Sequence, residues 1–222
     1  MKKNTTVIAL LSQKGGAGKT TVTMQLAAGL AAKGFAVGVV DLDPQESALR
    51  WAESAPEEVP FPATVCALNG NARELADDLK HFARGLDFVL VDCPPSIEHS
   101  HTLSALDLAD VALVPVVPSP PDLWSARAVE RLILHRMGTR GKLRGALLPN
   151  RVQRTALSGN VLEILREFNL PVLEASLSQR NAYAQSAAIG ASVFDLGRSA
   201  EAAQLEVSYV TDAVLELIGR KK

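Results

Sequence analysis

The chain has 222 residues, 47% of them hydrophobic and 21% charged, which suits one α/β domain with a sizeable core. A formal net charge of −1 argues against a globally basic nucleic-acid binder, yet residues 139–222 carry 11 basic and 8 acidic side chains against 12 and 16 in residues 1–138, so a local basic patch has room. No apolar run reaches the roughly 18 residues of a membrane span and no signal peptide precedes the first strand-like run, so a cytosolic protein is expected.

Strand-like apolar runs alternate with helical patterns from the start. A strand over residues 7–11 leads into Gln13-Lys14-Gly15-Gly16-Ala17-Gly18-Lys19-Thr20-Thr21 and a helix over 20–33. A strand over 36–40 ends in Asp41-Leu42-Asp43-Pro44-Gln45, followed by a helix over 46–53 and a proline-rich acidic surface loop over 55–62. A strand over 63–67 and a helix over 72–84 precede the strand over 88–91, which ends in Asp92-Cys93-Pro94-Pro95. Then come a helix over 99–108, a strand over 111–116, a helix over 122–137 and a strand over 146–148 ending in Pro149-Asn150-Arg151. A helix over 158–168, a short strand near Val172 and helices over 182–189 and 199–218 complete the chain. Alternation of this kind predicts an α/β fold, a doubly wound and mostly parallel sheet with helices on both faces, in a single domain spanning 1–222.

In such folds ligands bind at the carboxyl ends of the strands, where the loaded segments converge. The glycine-rich turn between strand and helix is a phosphate-binding loop: Gly15, Gly16, Ala17 and Gly18 let backbone N–H groups face phosphate oxygens, and the helix N-terminus adds partial positive charge. Lys19 neutralises β- and γ-phosphates, and the Thr20 hydroxyl ligates Mg²⁺. The ordinary G-x-x-x-x-G-K-[ST] pattern has glycine where this chain has Gln13, and asks for no second lysine at position 14. Asp92, behind an apolar strand, sits where a P-loop NTPase holds a magnesium-bound water. Asp41 and Asp43 begin on one face of their strand. Asp41 suits a contact to Mg²⁺ or Lys19, while Asp43 either orients the attacking water or, with Pro44, opens a turn that caps the next helix.

Lys14–Thr21, Asp41–Gln45 and Asp92-Cys93-Pro94-Pro95-Ser96 together resemble the three nucleotide motifs of the ParA/MinD family of deviant Walker ATPases, in order and spacing. Val114-Pro115-Val116-Val117-Pro118-Ser119-Pro120-Pro121-Asp122, Leu177-Ser178-Gln179-Arg180-Asn181-Ala182-Tyr183 and Ser192-Val193-Phe194-Asp195 are most similar to its small ParF-like plasmid-partition branch. The resemblance implies a slow ATPase, with ATP/ADP and Mg²⁺ as cofactors. Its ATP-bound homodimer would have Lys14 reach across to the other subunit's phosphates, so that Lys14, Lys19 and Asp43 are catalytic. It further implies Thr20, Asp41 and Asp92 on the metal side, and adenine contacts from Asn150 and Pro118, with Asp122 on the adenine or interface side. A strand-end asparagine is equally a turn residue.

Nonspecific DNA binding by the ATP dimer, a ParB-like or other cargo-adaptor protein and nucleoid association are implied in the same way. The candidate DNA patch is Arg140, Lys142, Arg144, Arg151 and Arg154, with Arg198 and Arg220-Lys221-Lys222 as additions; its alternative is a solvated charged surface. The first strand begins by about residue 5, leaving no room for an N-terminal helix-turn-helix domain. A MinD-like membrane ATPase is disfavoured, because the last helix has a core-type apolar stripe and an acidic polar face with Glu201, Glu206, Asp212 and Glu216. An iron–sulfur or metal-delivery ATPase is disfavoured because Cys66 and Cys93 lie on different strands without Cys-x-x-Cys spacing. A small-molecule kinase or ligase is disfavoured because no substrate-binding insertion is visible.

Overall fold

Each apolar run of four to six residues becomes a strand, and each intervening helical stretch crosses back over the sheet to the next one. The computed structural model describes residues 5–153 and 155–220. In chain order, β1 (Thr6–Leu10), α1 (Lys19–Ala32), β2 (Val37–Asp41), α2 (Ser47–Glu53), β3 (Thr64–Ala67) and α3 (Ala72–Phe82) are followed by β4 (Phe88–Asp92), α4 (Ser100–Leu108), β5 (Val111–Val116), α5 (Pro120–Arg140) and β6 (Arg144–Pro149). After them come α6 (Ala156–Leu165), α7 (Asn181–Ala188), a 3₁₀ segment (Val193–Ala200) and α8 (Glu201–Leu217). The sheet is six-stranded in the order β3-β2-β4-β1-β5-β6, with every pairing parallel.

Because strand side chains alternate between faces, each strand feeds two cores. Ile8, Leu10, Val39, Phe88, Leu90 and Leu113 pack beneath α1, α2, α7 and α8. Val7, Ala9, Val40, Val89, Val91 and Val114 pack beneath α3, α4, α5 and α6. The apolar stripe of α8 is consumed in this way: Ala203, Val207, Val210 and Val214 are buried against the sheet. No helix among the described residues is long and apolar enough to cross a membrane.

Several expected elements differ, among them β6, which is longer than expected at both ends, and α6, which starts and ends earlier. The strand near Val172 is reduced to one bridge with Leu147, bonded through the Pro171 carbonyl and the Leu173 amide, since Pro171 has no N–H to extend a ladder. Helix α5 starts earlier than residue 122, because Ser119 caps it and Pro120 and Pro121 occupy its first positions, where a missing N–H costs nothing. The 3₁₀ segment, unanticipated as such, is opened by a capping box between Ser192 and Asp195.

Candidate functional site

The ends of β1, β2, β4, β5 and β6 place the expected site residues along one rim. Along β2, Val40 and Leu42 face the core under α3 and α4, so Asp41 faces the α1 side; along β4, Val91 and Cys93 do likewise, so Asp92 also faces α1. The two aspartates are register partners on adjacent parallel strands, which lie about 4.8 Å apart. Burial pushes the Asp92 carboxyl up to about 7, the nearby Asp41 and Asp43 charges push it the same way, and the Thr20 hydrogen bond and Lys19 oppose them.

Thr20, in the first turn of α1, donates from Oγ1 to Asp92 Oδ2 at 2.6 Å. Thr23, one turn on, donates to the Lys19 carbonyl at 3.0 Å. Lys19 is 7% exposed and donates from Nζ to Ser12 Oγ at 2.9 Å. Burial lowers its pKa, and the charges of Asp92, Cys93 and Asp43 pull it back up. Ser12 in turn donates to the Lys14 carbonyl at 2.8 Å, so a residue that no motif flagged fixes both the loop and its inner lysine. Gly18 holds the left-handed conformation that starts α1, with φ at +84° and a Cβ position only 2.3 Å from Asn150 Nδ2. Gly15 and Gly16 are exposed on the loop, Ala17 is buried and Thr21 is half-buried.

The loop's two lysines go to different places. Lys14 leaves the phosphate cradle and forms an ion pair with Asp122 Oδ1 at 2.9 Å, in the first turn of α5. Gln13, which replaces the usual glycine, accepts the Ile97 amide at 3.1 Å and so ties the phosphate loop to the segment after β4.

Several expected site residues also make structural contacts. Both Asp41 oxygens face backbone amides, Oδ1 accepting from Asp43 and Oδ2 from Ala48 and Leu49; its observed work is to cap α2 and shape the preceding turn, not to approach Lys19. Burial raises its carboxyl, and those amides restrain the rise. Asp43 is half-buried and accepts the Gln45 amide at 3.0 Å, the turn-opening role, while remaining close enough for its charge to act on Lys19 and Asp92. The Asn150 side chain is buried and donates to the Ala17 carbonyl at 2.8 Å, a contact that braces the phosphate loop. Pro118 is buried in the turn between β5 and α5.

The basic patch, contiguous in sequence, is divided in space. β6 runs between Arg144 and Pro149, a span of about 17 Å, so Lys142 and Arg144 lie at the opposite end of the sheet from Arg151. Arg140 donates to the carbonyls of Leu106 and Ala109 and closes the end of α4. Arg144 bonds the Leu217 carbonyl, and the Arg220 guanidinium stacks 4.9 Å from the Phe88 ring centroid. Those three make structural contacts, although Arg144 remains exposed. Lys142, Arg151 and Arg198 are exposed, whereas Arg154, Lys221 and Lys222 lie outside the described residues. Arg151, at φ +53°, stands beside the phosphate loop, with Nε 3.8 Å from the Gly18 Cβ position.

These groups fit a nucleotide triphosphate with magnesium. A buried ammonium, a left-handed glycine opening a helix and a hydroxyl on a buried carboxylate are the cradle such a polyanion needs. No cluster of three or more His, Cys, Asp or Glu side chains able to hold a metal occurs among the described residues. Cys66 and Cys93 lie on strands separated by β2, and burial pushes both thiols up, that of Cys66 to about 11.

The family model described as the CobQ/CobB/MinD/ParA nucleotide binding domain matches residues 8–193. A maintenance of carboxysome distribution protein A from Halothiobacillus neapolitanus is 34% identical over 209 residues, covering 94% of this chain and 95% of that protein. The chromosome partitioning protein ParA of Myxococcus xanthus is 32% identical over 146 residues, covering 50% of this chain and 51% of that one. Among solved structures, a Cyanothece McdA–ATP complex superposes with a TM-score of 0.76 at 19% identity, covering 98% of each chain. The septum site-determining protein MinD of Pyrococcus horikoshii, complexed with Mg-ADP, gives 0.71 at 19% identity, covering 97% of this chain and 98% of that one.

Proposed function

The chain belongs to the CobQ/CobB/MinD/ParA nucleotide-binding family, and from that premise we propose that it is a magnesium-dependent ATPase that dimerises on ATP and positions a large intracellular cargo. One observation carries the reading: the phosphate loop holds two lysines, and only Lys19 points into its own cradle, while Lys14 stands 40% exposed at the rim. A cation kept outside its own site is placed to offset the repulsion between two polyanion-loaded subunits meeting face to face.

Lys19 and the loop amides hold the phosphates. Thr20 and Asp92 would hold the magnesium ion, which would supply positive charge to offset that of the phosphates. Asp43 orients the attacking water, and Lys14 stabilises the transition-state charge in the opposite subunit. Moving the monomer–dimer balance from 1:99 to 99:1 takes about 5.5 kcal/mol of differential binding, which a bridging triphosphate supplies and a diphosphate does not.

The cargo reading departs from the plasmid-partition branch. Both carboxysome-distribution relatives align over more than nine tenths of this chain, at 34% identity each, which favours a protein-bounded compartment over a plasmid as cargo. DNA serves as the track. The ATP dimer grips it nonspecifically through exposed basic side chains, with Lys142 and Arg144 at one end of β6 and Arg151 at the other reaching it as separate contacts and Arg198 adding to them, and a separate adaptor on the cargo stimulates hydrolysis. Because phosphate contacts dominate such binding, affinity for random duplex falls steeply with salt.

Lys14→Ala tests the reading. The variant should bind ATP as wild type does in equilibrium dialysis, yet lose the rise of specific ATPase activity with enzyme concentration that a dimer-dependent reaction shows. A variant that keeps this concentration dependence removes Lys14 from the mechanism. Asp43→Ala should lose turnover while keeping the ATP-bound dimer, and normal phosphate release would return Asp43 to a turn residue alone.

A further inference from the structure

The Lys14–Asp122 pair links the residue that departs from the ordinary phosphate loop to the first turn of a helix on the other side of β1. We propose that Asp122 is a positioning residue that folds Lys14 back onto its own subunit and releases it only to a second, nucleotide-loaded copy of the chain. This rests on the dimer reading above and adds what holds the lysine beforehand.

Asp122 is built to receive a cation. Its side chain is 15% exposed against 40% for Lys14, so the carboxylate is fixed and the lysine is the mobile partner. One oxygen takes Lys14 Nζ at 2.9 Å; the other takes the hydroxyl of Ser119, whose Oγ also caps the Asp122 amide. Ser12, Gln13, Lys14 and Ala17 face Asp122, Ser125 and Ala126 across a narrow crevice, so the lysine stem lies along the seam between loop and helix. The inner lysine cannot substitute, since Lys19 is buried and bonded to Ser12.

The strength of the pair suits a latch. A half-exposed ion pair is weak, so it biases Lys14 without trapping it. A triphosphate in a facing subunit offers several negative charges in a site from which water is being expelled, and there it outcompetes a single carboxylate. A diphosphate offers fewer, and the lysine stays home.

Sedimentation equilibrium of the full chain with magnesium and AMP-PNP tests this by comparing wild type, Asp122→Asn and Asp122→Glu. Releasing a pair worth about fivefold per subunit should tighten the dimer of Asp122→Asn by up to about 25-fold, whereas Asp122→Glu, which keeps the carboxylate, should stay near wild type. The gap between wild type and Asp122→Asn should close as salt rises from about 0.05 to 0.5 M, because screening weakens the latch, a response that a helix-packing defect would not give. Asp122→Ser, which also suits a first helical turn, carries the same expectation should the asparagine variant fold poorly. A dissociation constant for both neutral variants equal to or weaker than wild type overturns the latch alone. Wild type remaining monomeric with AMP-PNP overturns the dimer reading and the latch with it.

Discussion

At the scale of single residues, the site is a set of charges held where folding alone would not put them. Asp92 is completely buried and its carboxyl sits near 7 rather than 3.8, so the folded chain holds the proton more tightly than the unfolded chain. Its contribution to stability is therefore complete below about pH 4 and is lost as the pH rises through about 7. In urea titrations without nucleotide or magnesium, Asp92→Asn should remove that slope and be more stable than wild type at pH 8, by on the order of 2 kcal/mol. An unchanged slope would place the buried charge elsewhere. Gly18→Ala should cost about 1–3 kcal/mol and abolish ATP binding, since its φ of +84° disfavours a side chain and the new Cβ meets Asn150. Retained ATP affinity would contradict the role of that glycine. Lys19, Thr20 and Asp92 were legible because phosphate chemistry imposes their types and spacing. Ser12 and the Asp122 pairing were not: a serine next to the loop holds no position in the motif, and Asp122 reaches the loop only through the fold.

Among the elements, α5 and β6 show where reading along the chain misleads. Five basic residues between positions 139 and 156 look like one patch, but a strand separates their ends and Arg140 is spent on carbonyls of α4. Helix limits were legible where capping chemistry is local. α3 is the clear case, with Asn71 and Glu74 forming a capping box; α8 has no side-chain cap at its start, and its body rather than its limit was legible from buried positions at helical spacing. The bridge at Val172 was less so, since a short apolar run next to proline has too little periodicity to set its partner. Within α5, Glu130 is 2% exposed and accepts the amides of Asn169 and Leu170, anchoring the chain after α6 to the helix. Glu130→Ala should therefore lower stability by about 1–3 kcal/mol, chiefly the cost of the buried Leu170 amide left unpaired, since Asn169 is exposed. A loss below about 0.5 kcal/mol in chemical denaturation would mean that this amide finds water.

For the whole molecule, the parallel sheet was readable because its strands are apolar on both faces, and its strand order places β1 between β4 and β5 at the centre of the loaded rim. Long-range closures were not readable. Gly190, at φ +67°, lets the end of α7 lie against the backbone of Ala55, where a Cβ would come within 2.0 Å of the amide nitrogen. Gly190→Ala should thus melt several degrees lower, with a cost above about 1 kcal/mol. The loaded rim holds one cation outside its own cradle, and two such rims can share nucleotide only by meeting. Sedimentation velocity of the wild-type chain with Mg-ATP and with Mg-ADP tests that most directly. The account predicts a species of twice the monomer mass with ATP and the monomer alone with ADP; monomer in both nucleotides across the accessible concentrations would contradict it.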